Sequence, residues 1–232
     1  SAADIEAARL YNLTRNDFYI GPTMYGSYPQ EVLDELAAAG YGFHLTDEQL
    51  QQDLAYIHQQ GIDFMGLNYY TRATIAAIDY EAGMYRNASV FMPDQGPMAS
   101  ILFDSADAHA PNEQPGSENG IYDPQGFYDT LIWLDQVSGG KSILVSENGG
   151  GYRVEDFLTD DGKVHDTLRT RFLDGHIKAM WRAIDDGANV IGYNAWALFD
   201  NFEWFNGYAG RFGLIYIDYE DDLKRYPKDS YY

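Results

Sequence analysis

The chain has 232 residues, 45% hydrophobic and 16% aromatic, enough for one sizeable core or two small ones. Thirty-six acidic against fifteen basic residues give a formal charge of -21, which argues against nucleic acid or an anionic membrane as partner, since both are held by basic patches. With no cysteine there is no disulfide frame, thiolate metal site or cysteine nucleophile, and no stretch of about twenty apolar residues could span a bilayer.

Ser1-Ala2-Ala3-Asp4-Ile5-Glu6 lacks the basic and apolar regions of a signal peptide, and a soluble cytoplasmic protein is the expectation. The chain opens as if inside a helix, with Ile5, Ala8, Leu10 and Tyr11 loosely periodic and no capping residue ahead of them. After Pro22, Tyr28-Pro29-Gln30 leads into a helix from Glu31 that Gly40 ends. Thr46-Asp47-Glu48-Gln49 signals the next helix, and Leu50, Leu54, Ala55 and Ile57 are spaced for one buried face up to Gly61. Ile62 to Tyr70 is the first core strand. The excursion from Thr71 to Tyr122 is dotted with glycine and proline, and its length suits a functional loop. Asp123-Pro124 starts a helix carrying Phe127, Leu131, Ile132 and Leu134, and Lys141 to Glu147 is the second core strand. Asp160-Asp161-Gly162 reads as a turn. Asp166 to Asp186 is a long helix expected to bury Leu168, Phe172, Ile177, Met180, Trp181 and Ile184, and Ala188 to Trp196 is the third core strand. Gly213 to Tyr219 begins a small hairpin, Lys224-Arg225-Tyr226 is placed at the surface beyond it, and Pro227-Lys228-Asp229-Ser230 starts a helix. Strands alternating with helices predict an α/β fold with a parallel sheet, as a single partial domain over residues 1–232. Three strands alone leave two unpaired edges, whereas a closed barrel needs eight.

The tetrapeptide Ser-Glu-Asn-Gly occurs at 117–120 and again at 146–149. The second copy ends an apolar strand and is followed by two further glycines. The first lies among Pro111, Pro115 and Gly116 with no hydrophobic period, and reads as surface loop. Ligands bind at the carboxyl ends of parallel strands, so Glu147 has the functional address. An isolated strand-end glutamate more often caps a helix or pairs with a cation. Twenty tyrosines and four tryptophans suit a ligand that is apolar on one side and hydrogen-bonding on the other, as sugars are, although an aromatic cluster is more often core.

Gly66-Leu67-Asn68-Tyr69-Tyr70, Val145-Ser146-Glu147-Asn148-Gly149 and Tyr193 through Trp204 to Gly210-Arg211-Phe212-Gly213, continuing into Arg225 to Ser230, together resemble the family 1 glycoside hydrolases, the β-glucosidase family. That resemblance implies a (β/α)8 TIM barrel of which this chain supplies roughly the last three strand–helix units. It implies a retaining β-glycosidase in which Glu147 is the nucleophile that forms a glycosyl ester. It further implies that Tyr70 donates a hydrogen bond to that nucleophile and that Asn68 lies near the sugar 2-hydroxyl. Trp196 would be the platform under the ring, Glu203 would take paired hydroxyls, Trp204 would add an N–H donor and Phe212 an apolar wall. Asn68 and Tyr70 are two apart, which puts both side chains on one face of their strand.

The departures matter as much. The family's acid/base glutamate sits in an Asn-Glu-Pro motif, and none occurs here; Asn112-Glu113 is followed by Gln114. The glutamine and histidine that the family uses on its first and third strands also have no counterpart. Retaining hydrolysis needs a second carboxyl roughly 5 Å from the first, so the chain is expected to be the carboxyl-terminal half of an enzyme. It is expected to be inactive alone and to need the amino-terminal half as partner, with a β-glucoside or another small β-glycoside as substrate. A noncatalytic sugar-binding module and a 6-phospho-β-glucosidase are the alternatives. His44, His58, His109, His165 and His176 show no zinc spacing, and the mechanism uses no metal or organic cofactor.

Overall fold

The computed structural model describes residues 2–72, 75–77, 101–103, 117–119, 122–204 and 207–232. In chain order these form α1 (Ala2–Asn12), a π-helical turn (Leu13–Asp17), α2 (Phe18–Tyr25), α3 (Gln30–Ala38), α4 (Asp47–Gln60), β1 (Phe64–Tyr69), β2 (Ile75–Ala77), β3 (Ile101–Phe103), β4 (Ser117–Asn119), α5 (Pro124–Ser138), β5 (Ser142–Asn148), β6 (Gly151–Tyr152), α6 (Thr167–Asp185), β7 (Val190–Ala195), β8 (Ile215–Asp218), β9 (Lys224–Pro227) and a closing 3-10 turn (Asp229–Tyr231). The chain divides into two compact units, Ser1–Ile62 with Ala73–Ala108, and Asp63–Arg72 with His109–Tyr232. Most of the expected functional loop from Thr71 to Tyr122 lies outside the described residues.

The first unit is helical, with the short antiparallel pair β2–β3. Helical backbone continues through Pro22 and ends at Gly26 in the left-handed region. The reciprocal hydrogen bonds of Thr46 and Gln49 form a capping box at the start of α4, as the Thr-Asp-Glu-Gln pattern foretold. Of the face expected to be buried on α4, Leu54 is fully buried and Leu50 half-buried, whereas Ala55 and Ile57 are exposed. Phe18, Tyr28 and Phe43 form a run of adjoining rings, with centroids 4.7 and 5.2 Å apart.

The second unit is built on the parallel sheet β1-β5-β7, covered on one face by α5 and α6. Its core joins Tyr69, Phe127, Leu131, Leu134, Ile143, Val145, Ala179 and Ala183. Asp123 starts α5 by accepting from the Gly126 N–H, and Gly139 closes it at positive φ. No side chain fits at position 126, where Asp123 and the Tyr69 hydroxyl fill the space a Cβ would need. On α6 the buried stripe is Arg169, Phe172, His176, Ala179 and Ala183, and Trp181 is 60% exposed. The expected face is right at Phe172, half-buried at Leu168, Ile177, Met180 and Ile184, and wrong at Trp181, because two of the five buried positions are held by ionisable residues that a hydrophobicity pattern passes over.

Two expectations are corrected. Ser117–Asn119 of the first Ser-Glu-Asn-Gly copy is not loop but β4, which pairs antiparallel with β6, Ser117 opposite Tyr152, so breaker residues upstream did not prevent a short strand. Lys224-Arg225-Tyr226 does not lie past the hairpin but forms its second strand, with Tyr216 opposite Tyr226; Lys224 and Arg225 are nonetheless exposed.

Lys228 is wholly buried and joins a charge network that holds the loops above the sheet. Its Nζ lies 2.7 Å from Asp156 Oδ1 and 3.0 Å from Asp200 Oδ1. Arg169, equally buried, pairs with Asp156 at 2.8 Å and Asp166 at 2.6 Å, and donates to the carbonyls of Gly150 and Arg211. Arg211 closes the set on Asp200 at 2.7 Å. Three carboxylates thus face three cations. Burial and the neighbouring Arg169 charge pull the Lys228 ammonium below its ordinary value, against the attraction of Asp156 and Asp200. Arg169 is held above its own, because its two carboxylates outweigh the cost of burial.

His176 lies against Phe172 at 3.8 Å between ring centroids, with Phe127, Tyr69 and Tyr122 around it. Its Nδ1–H donates to the Phe172 carbonyl, and Nε2 has no partner among the described residues. Burial lowers its pKa to about 4.

Two outcomes are expected. Lys228→Met leaves Asp156 and Asp200 short of a cation and should cost about 3–5 kcal/mol, read from urea unfolding midpoints at constant slope. For His176, between pH 6.5 and 4 the unfolded chain binds a proton that the folded chain refuses, so stability falls as pH falls. The loss should approach about 1.4 kcal/mol per pH unit from this group. Urea unfolding at pH 7, 6 and 5 should show that slope, reduced by about that amount in His176→Phe.

Candidate active site

On β5, Ile143 and Val145 are fully buried beneath the helices. Strict alternation would send Glu147 after them. The register prevents this. Leu67 pairs with Val145 but Asn68 with Glu147 on one side, while Val145 pairs with Tyr193 and Asn148 with Ala195 on the other. Between Val145 and Asn148, β5 carries one residue more than either neighbour, a β-bulge at Ser146 that reverses the phase of the strand there; an opposite shift against β7 lies earlier, between Ile143 and Leu144. Asn148, rather than Glu147, is therefore the fully buried residue.

Asn148 joins the ends of all three strands. Its Nδ2 donates to the Tyr69 carbonyl at 2.7 Å, its Oδ1 accepts from Tyr193 Oη at 2.8 Å, and its carbonyl accepts from the Trp196 N–H at 2.9 Å. Tyr69 and Ala195 are thereby fixed, and with them the next residues along the chain, Tyr70 and Trp196. Tyr70 Oη donates to Glu147 Oε2 at 2.6 Å. Burial chiefly, then the bond to Glu147 and the charges of Glu147 and Glu203, push the phenol's pKa well up, so Tyr70 remains a protonated donor. Beyond Tyr70, Arg72 pairs with Asp123 at 2.7 Å and secures the end of β1 to the start of α5.

Trp196 Nε1 donates to Glu203 Oε1 at 3.2 Å. The Glu203 pKa is raised, first by desolvation and also by the charge of Glu147, with the Trp196 N–H acting the other way. Phe212 is buried, meets Tyr70 edge-to-face at 6.3 Å, and packs over Gly151, where a Cβ would stand 3.2 Å from its ring. Gly149 has no room for a side chain because the Trp196 carbonyl oxygen occupies that volume. The Trp196–Ala197 peptide is cis.

Thus Glu147 and Tyr70 bond directly, Trp196 and Glu203 bond directly, and Phe212 abuts Tyr70. Asn68 reaches the group through Ser146, whose Oγ donates to Asn68 Oδ1 at 2.7 Å. Trp204 stands apart, 90% exposed. Ser146 and Asn148 had no assigned part in the sequence reading. Their signal lay in the polar run Ser-Glu-Asn closing an apolar strand, which is too many consecutive polar residues for simple alternation. Among the described residues no three His, Asp or Glu side chains are grouped to hold a metal ion, and no helix is long and apolar enough to cross a membrane.

Comparison with known proteins identifies the family. A family model described as "Glycosyl hydrolase family 1" matches residues 1–232. The chain is 37% identical over 231 residues to Beta-glucosidase A of Enterobacter agglomerans, covering 99% of this chain and 43% of that protein. It is 34% identical over 238 residues to a 6-phospho-beta-galactosidase of Streptococcus mutans, covering 99% and 48%. The solved family 1 β-glucosidase of Thermotoga maritima in complex with isofagomine lactam superposes with a TM-score of 0.78 at 31% identity, over 100% of this chain and 46% of that one. The chain spans less than half the length of these relatives. Its sequence over its whole length, and its fold, make it a member of glycosyl hydrolase family 1.

Proposed function

We propose that this chain carries the nucleophile side of a retaining β-glycosidase acting on β-glucosides, and corresponds to the last three strand–helix units of a (β/α)8 barrel. The observation that carries this reading is the 2.6 Å bond from Tyr70 to Glu147. A phenol donating to one carboxylate oxygen orients the group and aims the other oxygen, which is what attack on an anomeric carbon requires. In the first step a Glu147 oxygen bonds to C1 while the glycosidic C–O bond breaks and an acid protonates the departing oxygen. In the second, water gives its proton to the same group, now a base, and its oxygen displaces Glu147, so the β configuration is retained.

The acid/base carboxyl comes from outside this chain, from the part of the barrel for which the chain has no counterpart. The chain alone is therefore inactive. Phe64 and Ile191 support a missing cover: they belong to the sheet but not to its core, and are 51% and 60% exposed. Glu203 accepts from paired sugar hydroxyls, Trp196 underlies the ring, Phe212 is the apolar wall, and Trp204 supplies its N–H from a side chain that the bound sugar would cover.

Similarity to a 6-phospho-beta-galactosidase raises a second reading, a phosphorylated substrate. The electrostatics weigh against it. Glu203 and Glu147 already repel each other, and a phosphate would bring further negative charge beside them.

Three measurements test the proposal. p-Nitrophenyl β-glucoside should be hydrolysed by the chain only after assembly with the amino-terminal part of a family relative, and Glu147→Gln should abolish turnover there. Hydrolysis by the chain alone, or silence from an assembly shown to be folded, would refute the reading, the latter in favour of a noncatalytic sugar-binding module. Tyr70→Phe in the active assembly should lower kcat/KM about 10- to 100-fold, the worth of a hydrogen bond to a charged group. The 6-phosphorylated substrate should be cleaved more slowly than the unmodified one; the reverse preference would favour the phosphoglycosidase.

A further inference from the structure

The bulge on β5 puts two successive side chains to use on one face. Ser146 reaches Asn68 while Glu147 reaches Tyr70, and Asn68 and Tyr70, two apart at the end of β1, share a face. Without the extra residue, Ser146 and Glu147 would face opposite ways, and one of the two bonds would be lost.

A carboxamide has an accepting and a donating end, and which of them meets a ligand decides what it can bind. Two features select the orientation of Asn68. It stands opposite Glu147 in the register, so an amide oxygen turned toward that carboxylate is repelled and an amide N–H is attracted. The Ser146 hydroxyl, 2.7 Å away, supplies a donor for the oxygen on the other side. We propose that Ser146 is a positioning residue, locking Asn68 so that its two N–H donors face the ligand and bind the hydroxyl next to the anomeric carbon. The inference rests on the β-glycosidase reading above. Interactions at that hydroxyl strengthen as positive charge develops at C1, so the Ser146 contribution is greatest in the transition state.

Removing the hydroxyl leaves the amide free to turn its oxygen inward. Threonine keeps the hydroxyl, and Gly66 on the neighbouring strand leaves room beside it, since even an added Cβ there would lie 3.6 Å from Ser146 Oγ. The test compares Ser146, Ser146→Ala and Ser146→Thr in the assembled enzyme, using p-nitrophenyl β-glucoside and its 2-deoxy analogue. Ser146→Ala should lose about tenfold in kcat/KM on the glucoside, the worth of one hydrogen bond, and less than about twofold on the 2-deoxy analogue, with Ser146→Thr near the parent on both. Equal losses on the two substrates mean a merely structural effect and overturn the proposal, as does no loss on either. Should the parent assembly cleave neither substrate, the glycosidase reading fails by itself. The Asn68 side-chain amide NMR signals of the 15N-labelled chain then decide the positioning claim: a change in Ser146→Ala restored by Ser146→Thr supports the lock, and unchanged signals overturn it.

Discussion

Much of the second unit depends on one buried electrostatic balance, three carboxylates against three cations. Arg169 is its centre. It sits at the start of α6 and pairs with Asp156 from the loop after β6 and with Asp166 at the helix start, while its remaining donors take the carbonyls of Gly150 and Arg211. Those carbonyls belong to the two segments that bound the site, one following Glu147 and one leading into Phe212. Asp200, on the segment between Trp196 and Phe212, accepts from Lys228, Arg211 and the N–H of Gly213. Irregular backbone over a sheet cannot satisfy its own polar groups as a helix can, and here buried ions do so instead. Such an arrangement need not add net stability over an apolar core, but it tolerates no missing member.

From that frame the site is reached through Asn148. Its side chain satisfies groups of β1 and β7, and its carbonyl takes the Trp196 N–H. The carboxylate before it is fixed by the same bonds, because a bulged strand would otherwise be free to slip back into ordinary register. The glycines answer the same constraint from the other side. At 149 the Trp196 carbonyl, and at 151 the Phe212 ring, take the place a side chain would fill. Strand, bulge, glycine and cross-strand amide form one device, and the direct bond between Tyr70 and Glu147 is its product.

The parallel sheet and the helices covering it were legible from period alone, since Ile143, Val145, Phe127 and Leu131 carry ordinary core signals. The capping box at Thr46 was legible because its chemistry is local. The apolar strand ending in glycines singled out Glu147, and resemblance, not periodicity, gave it a role and named Tyr70, Trp196, Glu203 and Phe212, whose bonding the fold then displays. What stayed hidden was set by partners far along the chain. Lys228 reads as a surface lysine until Asp156 and Asp200 arrive from 72 and 28 positions away. Arg169 and His176 interrupt the hydrophobic stripe of α6, and only tertiary contacts explain why both belong in it. The bulge was hidden too, because one extra residue leaves no mark in composition, and pairing register is a property of two strands at once.

Among the described residues, Glu147 and Glu203 are each met by a neutral donor rather than a cation, Tyr70 in one case and Trp196 in the other. This choice has a consequence. In the role proposed for Glu147, a cation beside it would weaken its attack, whereas a phenol orients the group without adding a positive charge. The indole N–H treats Glu203 likewise, steadying one oxygen and leaving accepting capacity for hydroxyl protons. The Arg169 network a short distance along the chain pairs its carboxylates with full charges. The carboxylates of the Arg169 network thus receive cations, whereas the two proposed to meet a ligand receive hydrogen bonds from neutral donors.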